Sequence, residues 1–336
     1  MKNNFISLKE YFLENLSIDH KSNCSIEEWN LCLEKISSYN PQYSWNSTEF
    51  LIKYYKSDNY LRLVIEDNNN SVGVFFIILT NDLKLISIPE GITEPLFSSN
   101  YNIKKRKKSA SELLRVLISY KKSQGLKELI FKTNGAYISE KLSDWHLKIK
   151  QESISSEDFI SIHVDLTMPI DLIKKEIRKS YRSLINKGFK LWDIKFFDKK
   201  NVNKQTWELY KNLHIDCSGR QTRSDDTWKL HYNSIIKGEA FLVASFDTNN
   251  KLIGGAFIEV GKNIALYSVG AYDRKLFNEP IAHSIQMKVI EYLKEIKISN
   301  YHLGFIVDTN DEKLLNIVNF KKGFSNAFYL EKLYTI

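Results

Sequence analysis

Lys174, Arg178 and Arg182 recur every four residues, so on a helix they share one stripe, with Lys175 and Lys179 on the next. A guanidinium on such a stripe offers a phosphate two parallel, charge-assisted hydrogen bonds. The spacing suits either a cradle for a pyrophosphate or RNA backbone or a solvated helix face. A second cluster, Ser218-Gly219-Arg220-Gln221-Thr222-Arg223-Ser224, stands just before a helix. Free backbone N–H groups at a helix start attract anions, and Arg220 and Arg223 would add charge. The alternative is an interhelical loop whose arginines pair with nearby acids. A third group is Asp273-Arg274 followed by Pro280-Ile281-Ala282-His283. His283 titrates near neutrality and suits a general base, or it is a packed histidine. Asp273 offers a carboxylate for catalysis or caps a turn. No Ser-His-Asp or Cys-His constellation is legible, so direct transfer between substrates is expected rather than a covalent enzyme intermediate.

The elements that must hold these residues form one pattern twice. In the first half, strands are expected over Leu61–Glu66 and Val72–Leu79, joined by the turn Asp67–Asn70, and then over Leu83–Ile88. In the second half the strands are Ala240–Phe246, Leu252–Val260 and Asn263–Val269. A helix follows each meander. The first is expected to open on a capping box, Ser109 to Glu112, and to end at Gly125. The second opens at Pro280 and carries Ile281, Ile285, Val289, Leu293 and Ile296 on one stripe. Short strands over Leu126–Lys132 and Tyr301–Phe305 come next.

Between the halves, Pro169, Ile170, Ile173, Ile177, Tyr181 and Leu184 mark an amphipathic helix closed by Gly188. Helices around Thr206–Asp216 and Asp225–Lys237 follow, the latter capped by Ser224 and ended by Gly238. Meander, helix, strand, helix, strand is the order of the acetyltransferase (GNAT) fold. The expected class is therefore α/β, with tandem GNAT-like domains of mixed, mainly antiparallel sheets flanked by helices. The expected division is 1–165, a basic linking helix at 166–189, and 190–336.

Composition agrees with a two-domain globular chain. Of 336 residues, 43% are hydrophobic and 26% charged, which excludes a disordered chain. The net charge of +8 is concentrated in 174–190 and in Lys104-Lys105-Arg106-Lys107-Lys108. Such runs point to phosphate-bearing partners: nucleotides, nucleic acid or anionic lipid. No signal-peptide core or membrane-spanning apolar run is present, so a cytoplasmic location without membrane insertion is expected. Cys24, Cys32 and Cys217 form no C-x-x-C pair, which fits a reducing compartment, and no metal is expected.

One further element, Phe320-Lys321-Lys322-Gly323-Phe324, expected at the entry to the last strand, joins Ile177-Arg178-Lys179-Ser180…Arg182, Gly219-Arg220-Gln221-Thr222-Arg223…Trp228, Gly238-Glu239-Ala240-Phe241 and Gly270…Tyr272-Asp273-Arg274. In these pieces, over 177–324, the chain resembles the Fem-like (FemAB-related) aminoacyl- and acyltransferases. The resemblance implies two GNAT-like domains with an acceptor groove, and a donor that is an acyl-CoA or an aminoacyl-tRNA. It implies an acceptor amine on an amino sugar or a cell-surface glycan or peptidoglycan precursor. It also implies that Lys321 stabilises charge in the transition state. Tyr267, Phe320 and Lys322 stand with Arg178, Lys179, Arg182, Arg220 and Arg223 as substrate-contacting candidates. The chain lacks the long coiled-coil arm of some family members. Physically, an amine attacking an ester or thioester puts negative charge on the carbonyl oxygen, and a fixed cation there is a large catalytic term. The alternative from another class is a non-catalytic RNA-binding protein on the same fold, supported by the basic balance and the many aromatics.

Overall fold

The computed structural model describes residues 6–133 and 143–336. In chain order the first elements are α1 (Leu8–Asn15), β1 (His20–Lys21), α2 (Ile26–Glu34), α3 (Trp45–Tyr54), β2 (Tyr60–Asp67) and β3 (Asn70–Leu79). Next come β4 (Leu85–Ile86), β5 (Leu96–Phe97), α4 (Ile103–Gln124), β6 (Ile130–Lys132), α5 (Asp144–Glu152) and β7 (Ser155–Asp165). Then follow α6 (Ile170–Glu176), α7 (Lys179–Leu191), β8 (Asp193–Phe197), α8 (Lys204–Ser218), α9 (Asp225–Lys237), β9 (Ala240–Phe246) and β10 (Leu252–Val260). The last are β11 (Ile264–Tyr272), α10 (Ile281–Glu295), β12 (Asn300–Ile306), α11 (Glu312–Lys322) and β13 (Ala327–Thr335).

The chain forms two compact units. One holds Met1–Tyr39, Thr48–Phe159 and Leu330–Ile336, the other Asn40–Ser47 and Ile160–Tyr329. In the first, β1-β2-β3-β4 pair in that order, and β5 pairs with the opposite end of β3. The β2–β3 hairpin turns through Asn68 and Asn69, both left-handed at φ 51° and 62°. Asparagine tolerates that region better than any residue except glycine. Leu63, Ile65, Phe75 and Ile77 meet Leu113, Leu117 and Tyr120 of α4 in a closed core.

Helix α4 begins two turns earlier than its pattern suggests. Asn102 caps it by accepting from the Lys104 and Lys105 N–H groups. Ser109 is buried in mid-helix and shares a 3.1 Å hydrogen bond with the Tyr101 hydroxyl. Glu112 pairs with Arg115 at 2.7 Å and accepts from Ser17. The expected capping box at Ser109–Glu112 is thus corrected: lysine and arginine are good helix formers, and the basic run simply extends the helix.

In the second unit the strand order is β7-β12-β11-β10-β9-β8. All neighbours are antiparallel except β11 and β12. One face carries α6, α7 and α10 through Ile173, Tyr181, Ile185, Ile285 and Val289. The other carries α8 and α9 through Trp207, Tyr210, Trp228 and Ile235. Two glycines side by side on β10 serve both faces. A Cβ on Gly254 would meet Ile281 at 2.5 Å, and one on Gly255 would meet the Tyr210 ring at 2.8 Å.

The expected single helix over 169–188 is two, broken at Ile177 and Arg178, whose ψ angles of 134° and 127° are extended. Gly188 does not close the second helix, which runs on to Leu191. A Cβ there would stand 2.5 Å from Ser284 Oγ, so this glycine is a contact point between α7 and α10. Tertiary packing, not chain termination, explains it. The segment around Lys321, expected as the entry to the last strand, is the last turn of helix α11. Asp311 caps that helix by accepting from the Lys313 and Leu314 N–H groups, and the strand begins only at Ala327.

Candidate active site

The parallel ladder between β11 and β12 has three rungs, from Ile264↔Asn300 to Leu266↔His302. Beyond them β11 runs to Tyr272 and β12 to Ile306 without pairing to each other, so the strands part. Irregularities accompany the parting. The β7–β12 ladder slips between His302 and Gly304, and the β10–β11 ladder between Phe257 and Ile258. Gly304 has φ 132°, a conformation that side chains avoid.

Lys321 reaches the point where the strands separate. Its Nζ stands 5.6 Å from the centre of the Tyr267 ring, on the first residue of β11 past the ladder. It also lies 2.6 Å from where a Cβ on Gly304 would be. Among the described residues the Lys321 ammonium makes no hydrogen bond or ion pair, and the Tyr267 ring face is its one charge partner. Burial pulls its pKa down to about 8. An ammonium so placed is half desolvated, still mainly charged at neutral pH, and free to meet an anion.

The lysine is held by its neighbours in sequence. Half-buried Phe320 and fully buried Phe324 pack at 5.3 Å between ring centres. Tyr181 of α7 joins them at 6.0 and 5.3 Å. Gly323 is obligatory here, since a Cβ would sit 2.1 Å from the Tyr181 ring. Lys322 is exposed, as an adjacent helical position should be.

Tyr267 and Tyr272 share a 2.9 Å hydrogen bond between their hydroxyls. The exposed Gly270 leaves room for them: a Cβ would lie 1.9 Å from the Tyr267 hydroxyl oxygen. Burial raises both phenol pKa values, that of Tyr272 to about 12. They are hydrogen-bond donors, not bases.

His283 of α10 is boxed by aromatic rings, with Tyr181 at 4.5 Å and Phe320 at 5.2 Å. Its Nδ1 is buried without a hydrogen-bond partner among the described residues. Burial, reinforced by Arg178, lowers its pKa to about 4, so it is neutral at pH 7. Asp273 caps the short 3-10 turn Arg274–Leu276 and pairs with Lys251 at 2.8 Å, and that pairing lowers its pKa.

The arginines separate into two places. Arg178 donates to the Tyr181 hydroxyl and the Asn319 carbonyl, both at 3.1 Å, and Arg182 donates to the Lys175 carbonyl. Both are exposed, as is Lys179 at the start of α7. Arg220 and Arg223 lie in the α8–α9 connection, on the helix layer covering the other sheet face. Arg220 is exposed. Arg223 contacts His214 Nε2 at 3.2 Å and sits 5.7 Å over Trp228. Sequence reading missed Gly304 and Tyr181 as site-forming residues. An isolated glycine inside the strand pattern Tyr301–Phe305 is the signal that marks the first.

No family model matches the chain, and no curated protein matches it. Solved structures do. FemX is 12% identical with a TM-score of 0.68, covering 95% of this chain and 98% of its own. L-PGS from Bacillus licheniformis is 12% identical with a TM-score of 0.60, covering 92% of this chain and 90% of its own. A tandem GNAT protein from the clavulanic acid biosynthesis pathway is 10% identical with a TM-score of 0.51, covering 95% and 98%. The fold is that of the Fem-like, tandem GNAT proteins. In this Fem-like fold the parting of β11 and β12, and the lysine that spans it, belong to the second unit.

Proposed function

We propose that the chain is an N-acyl- or N-aminoacyltransferase, and the observation that carries this is the unpaired Lys321 ammonium where β11 and β12 part. The donor is an acyl-CoA or an aminoacyl-tRNA. The acceptor is an amine on an amino sugar or a cell-surface glycan or peptidoglycan precursor, reached in the cytoplasm. FemX, L-PGS and the tandem GNAT protein support this reading as fold neighbours.

The amine nitrogen forms a bond to the donor's carbonyl carbon, and the carbonyl π electrons move to oxygen. Lys321 stabilises that oxyanion. Collapse re-forms the carbonyl and expels the thiolate or the ribose oxygen. The new amide gives up one proton and the leaving group takes one. A fixed cation at the oxyanion is a large term in such a reaction. The hydroxyl pair of Tyr267 and Tyr272, one proton of which is spent on their mutual hydrogen bond, has one proton left to donate beside it. His283, neutral and unpaired at Nδ1, is a better proton acceptor than Asp273, whose carboxylate is engaged by Lys251. Arg178, Lys179 and Arg182, together with Lys322, hold donor or acceptor phosphates. Arg220 and Arg223 provide a second anion site on the other layer. Phe320 lines and stiffens the site.

The test is direct transfer by the purified chain, with labelled acetyl-CoA or aminoacyl-tRNAs as donors and nucleotide-linked amino sugars as acceptors. Mass spectrometry of glycan precursors from cells with and without the protein names the product. Salt-sensitive RNA binding with no turnover on any donor would instead favour an RNA-binding protein on this fold.

A further inference from the structure

We infer that Ser268 and Glu259 form a proton relay that takes the proton of the acceptor amine, on the sheet face opposite Tyr267 and Lys321. The inference rests on the proposed transfer reaction and adds a proton acceptor to it. In the β10–β11 ladder Phe257 pairs with Val269 and Ile258 with Tyr267, so Ser268 is an extra residue that the register skips. It also lies past the last β11–β12 rung, Leu266↔His302. A bulge of this kind re-aims a side chain, and bulges favour the surroundings of active sites.

Its neighbours mark the two faces of the sheet. Ile258 and Tyr267 pack in the core with α10, whereas Phe257 and Val269 belong to the core with α8 and α9. Glu259 follows Ile258 on β10 and so faces α8 and α9. The Ser268 hydroxyl donates to the Glu259 carboxylate and therefore points to the same side. Tyr267 and Ser268, consecutive on the strand edge that β12 has left, thus point to opposite faces. The first meets the Lys321 ammonium, the second meets a carboxylate.

The carboxylate is held from behind. Glu259 is buried, and Ser47 of the Asn40–Ser47 segment donates to its Oε1 at 3.0 Å. Ser47 in turn accepts from Ser44 at 3.0 Å. Ser268 is only half-buried, so it is the group that a substrate can touch, with the acid one hydrogen bond behind it. Burial raises the Glu259 pKa and the Glu239 charge adds to it, against the two serine hydrogen bonds and the Arg223 charge. His231 of α9, on the same face, is neutral: burial, reinforced by Arg223 and His214, lowers its pKa to about 3. A carboxylate moved toward neutrality is a better proton acceptor than one at its ordinary value.

The two faces suit the two ends of the reaction. A nucleophile approaches a carbonyl carbon from above its plane, so the oxyanion and the amine need partners in different directions. Lys321 serves the oxygen and Ser268 the nitrogen. As the nitrogen lone pair forms the C–N bond, an N–H proton passes to Ser268 Oγ while the serine's own proton passes to Glu259. Ser268 is left unchanged and Glu259 neutral. Glu259 then returns the proton through Ser268 to the expelled thiolate or ribose oxygen.

The experiment is turnover of the full chain against pH at saturating acceptor, with labelled acetyl-CoA or aminoacyl-tRNA as donor and a nucleotide-linked amino sugar as acceptor. Turnover should fall as pH drops through the Glu259 pKa. Glu259→Gln still accepts from the serines; it should lose roughly a hundredfold, the scale of a lost general base, together with that acid limb. Ser268→Ala should lose about as much, and the double variant little more, because both residues move one proton. Ser47→Ala should carry the limb to higher pH, since a carboxylate that loses a donor holds its proton more tightly. Thermal melting confirms that each variant folds; should Glu259→Gln not fold, the Ser268→Ala loss and the Ser47→Ala shift decide the matter. The inference is overturned if Glu259→Gln keeps the parent's turnover and acid limb, or if the two single losses add. It is also overturned if the limb survives Glu259→Gln and disappears in His283→Ala. A parent chain that transfers nothing from any donor defeats the proposed reaction itself, and the relay with it, whereas an active parent with an unaffected Glu259→Gln defeats the relay alone.

Discussion

The Lys321 ammonium lies 2.6 Å from the point where a side chain on Gly304 would begin. The lysine can bridge the parted strands only because β12 has a glycine, at φ 132°, opposite it.

Gly304→Ala should therefore act twice. The new methyl displaces the Lys321 tip, and the backbone is held in a region that alanine tolerates poorly. Strain of that kind costs on the order of 1–3 kcal/mol. Urea denaturation should show that loss of stability, and transfer assays should show a further loss of turnover. A variant as stable and as active as the parent would remove Gly304 from the site.

Lys321→Met keeps most of the stem and removes the charge. The chain should fold and bind acceptor, yet lose roughly a hundredfold in turnover, the scale of one oxyanion stabiliser. Lys322→Met, on an exposed neighbour, should cost much less. Equal turnover for Lys321→Met and the parent, with the true donor and acceptor, would make the Phe-Lys-x-Gly-Phe element purely structural.

The depressed lysine pKa makes a pH signature. Burial sets it at about 8, so the charged form disappears as pH rises through that value. Turnover should fall on that basic limb, and Lys321→Arg should carry the limb to higher pH if it preserves activity, because guanidinium does not titrate there. Stability should move the other way. Between about 8 and the ordinary lysine value near 10.5 the unfolded chain holds more protons, so stability rises with pH across that window. Melting curves taken across it, for the parent and Lys321→Met, separate this lysine's share from the rest.

Gly188→Ala tests the packing that sets Tyr181 beside Gly323. The added methyl would stand 2.5 Å from Ser284 Oγ and 2.9 Å from the Pro280 carbonyl, pushing α7 off α10. Overpacking of this sort costs roughly 1–3 kcal/mol. Guanidinium unfolding should report it, whereas Gly125→Ala, with open space around a left-handed cap at φ 64°, should be destabilised by backbone strain alone.

Removing Arg178 should disturb the site more than removing Arg182. Arg178 binds both Tyr181 and the end of α11, while Arg182 donates to the Lys175 carbonyl of α6. Apparent acceptor affinity should fall roughly tenfold or more for Arg178→Ala if it also holds a phosphate, the scale of a lost charge-assisted hydrogen bond. An unchanged KM would limit Arg178 to a structural part.

Local signals were enough to read β9 and β10 to the residue, α9 with its Ser224 cap, and the apolar stripe of α10 from Ile281 to Leu293, while Ile296, expected on that stripe, caps the helix end and is exposed. A β-rich apolar run bounded by turn residues, and a helix cap, are set within a few residues, so the sequence carries them directly. Where the chain makes long-range contacts, the same signals misled. Gly188 has the look of a helix cap and is a helix–helix contact, and Phe320–Phe324 has the look of a strand entry and is a helix end. The type of Lys321 was legible, as was the aromatic pair around it. Its use was decided by tertiary structure, which parts β11 from β12 and aligns Tyr267 and Gly304, residues 37 apart, on either side of one ammonium. No local spacing encodes that meeting, because it depends on where a parallel ladder stops and on which helix packs across the gap.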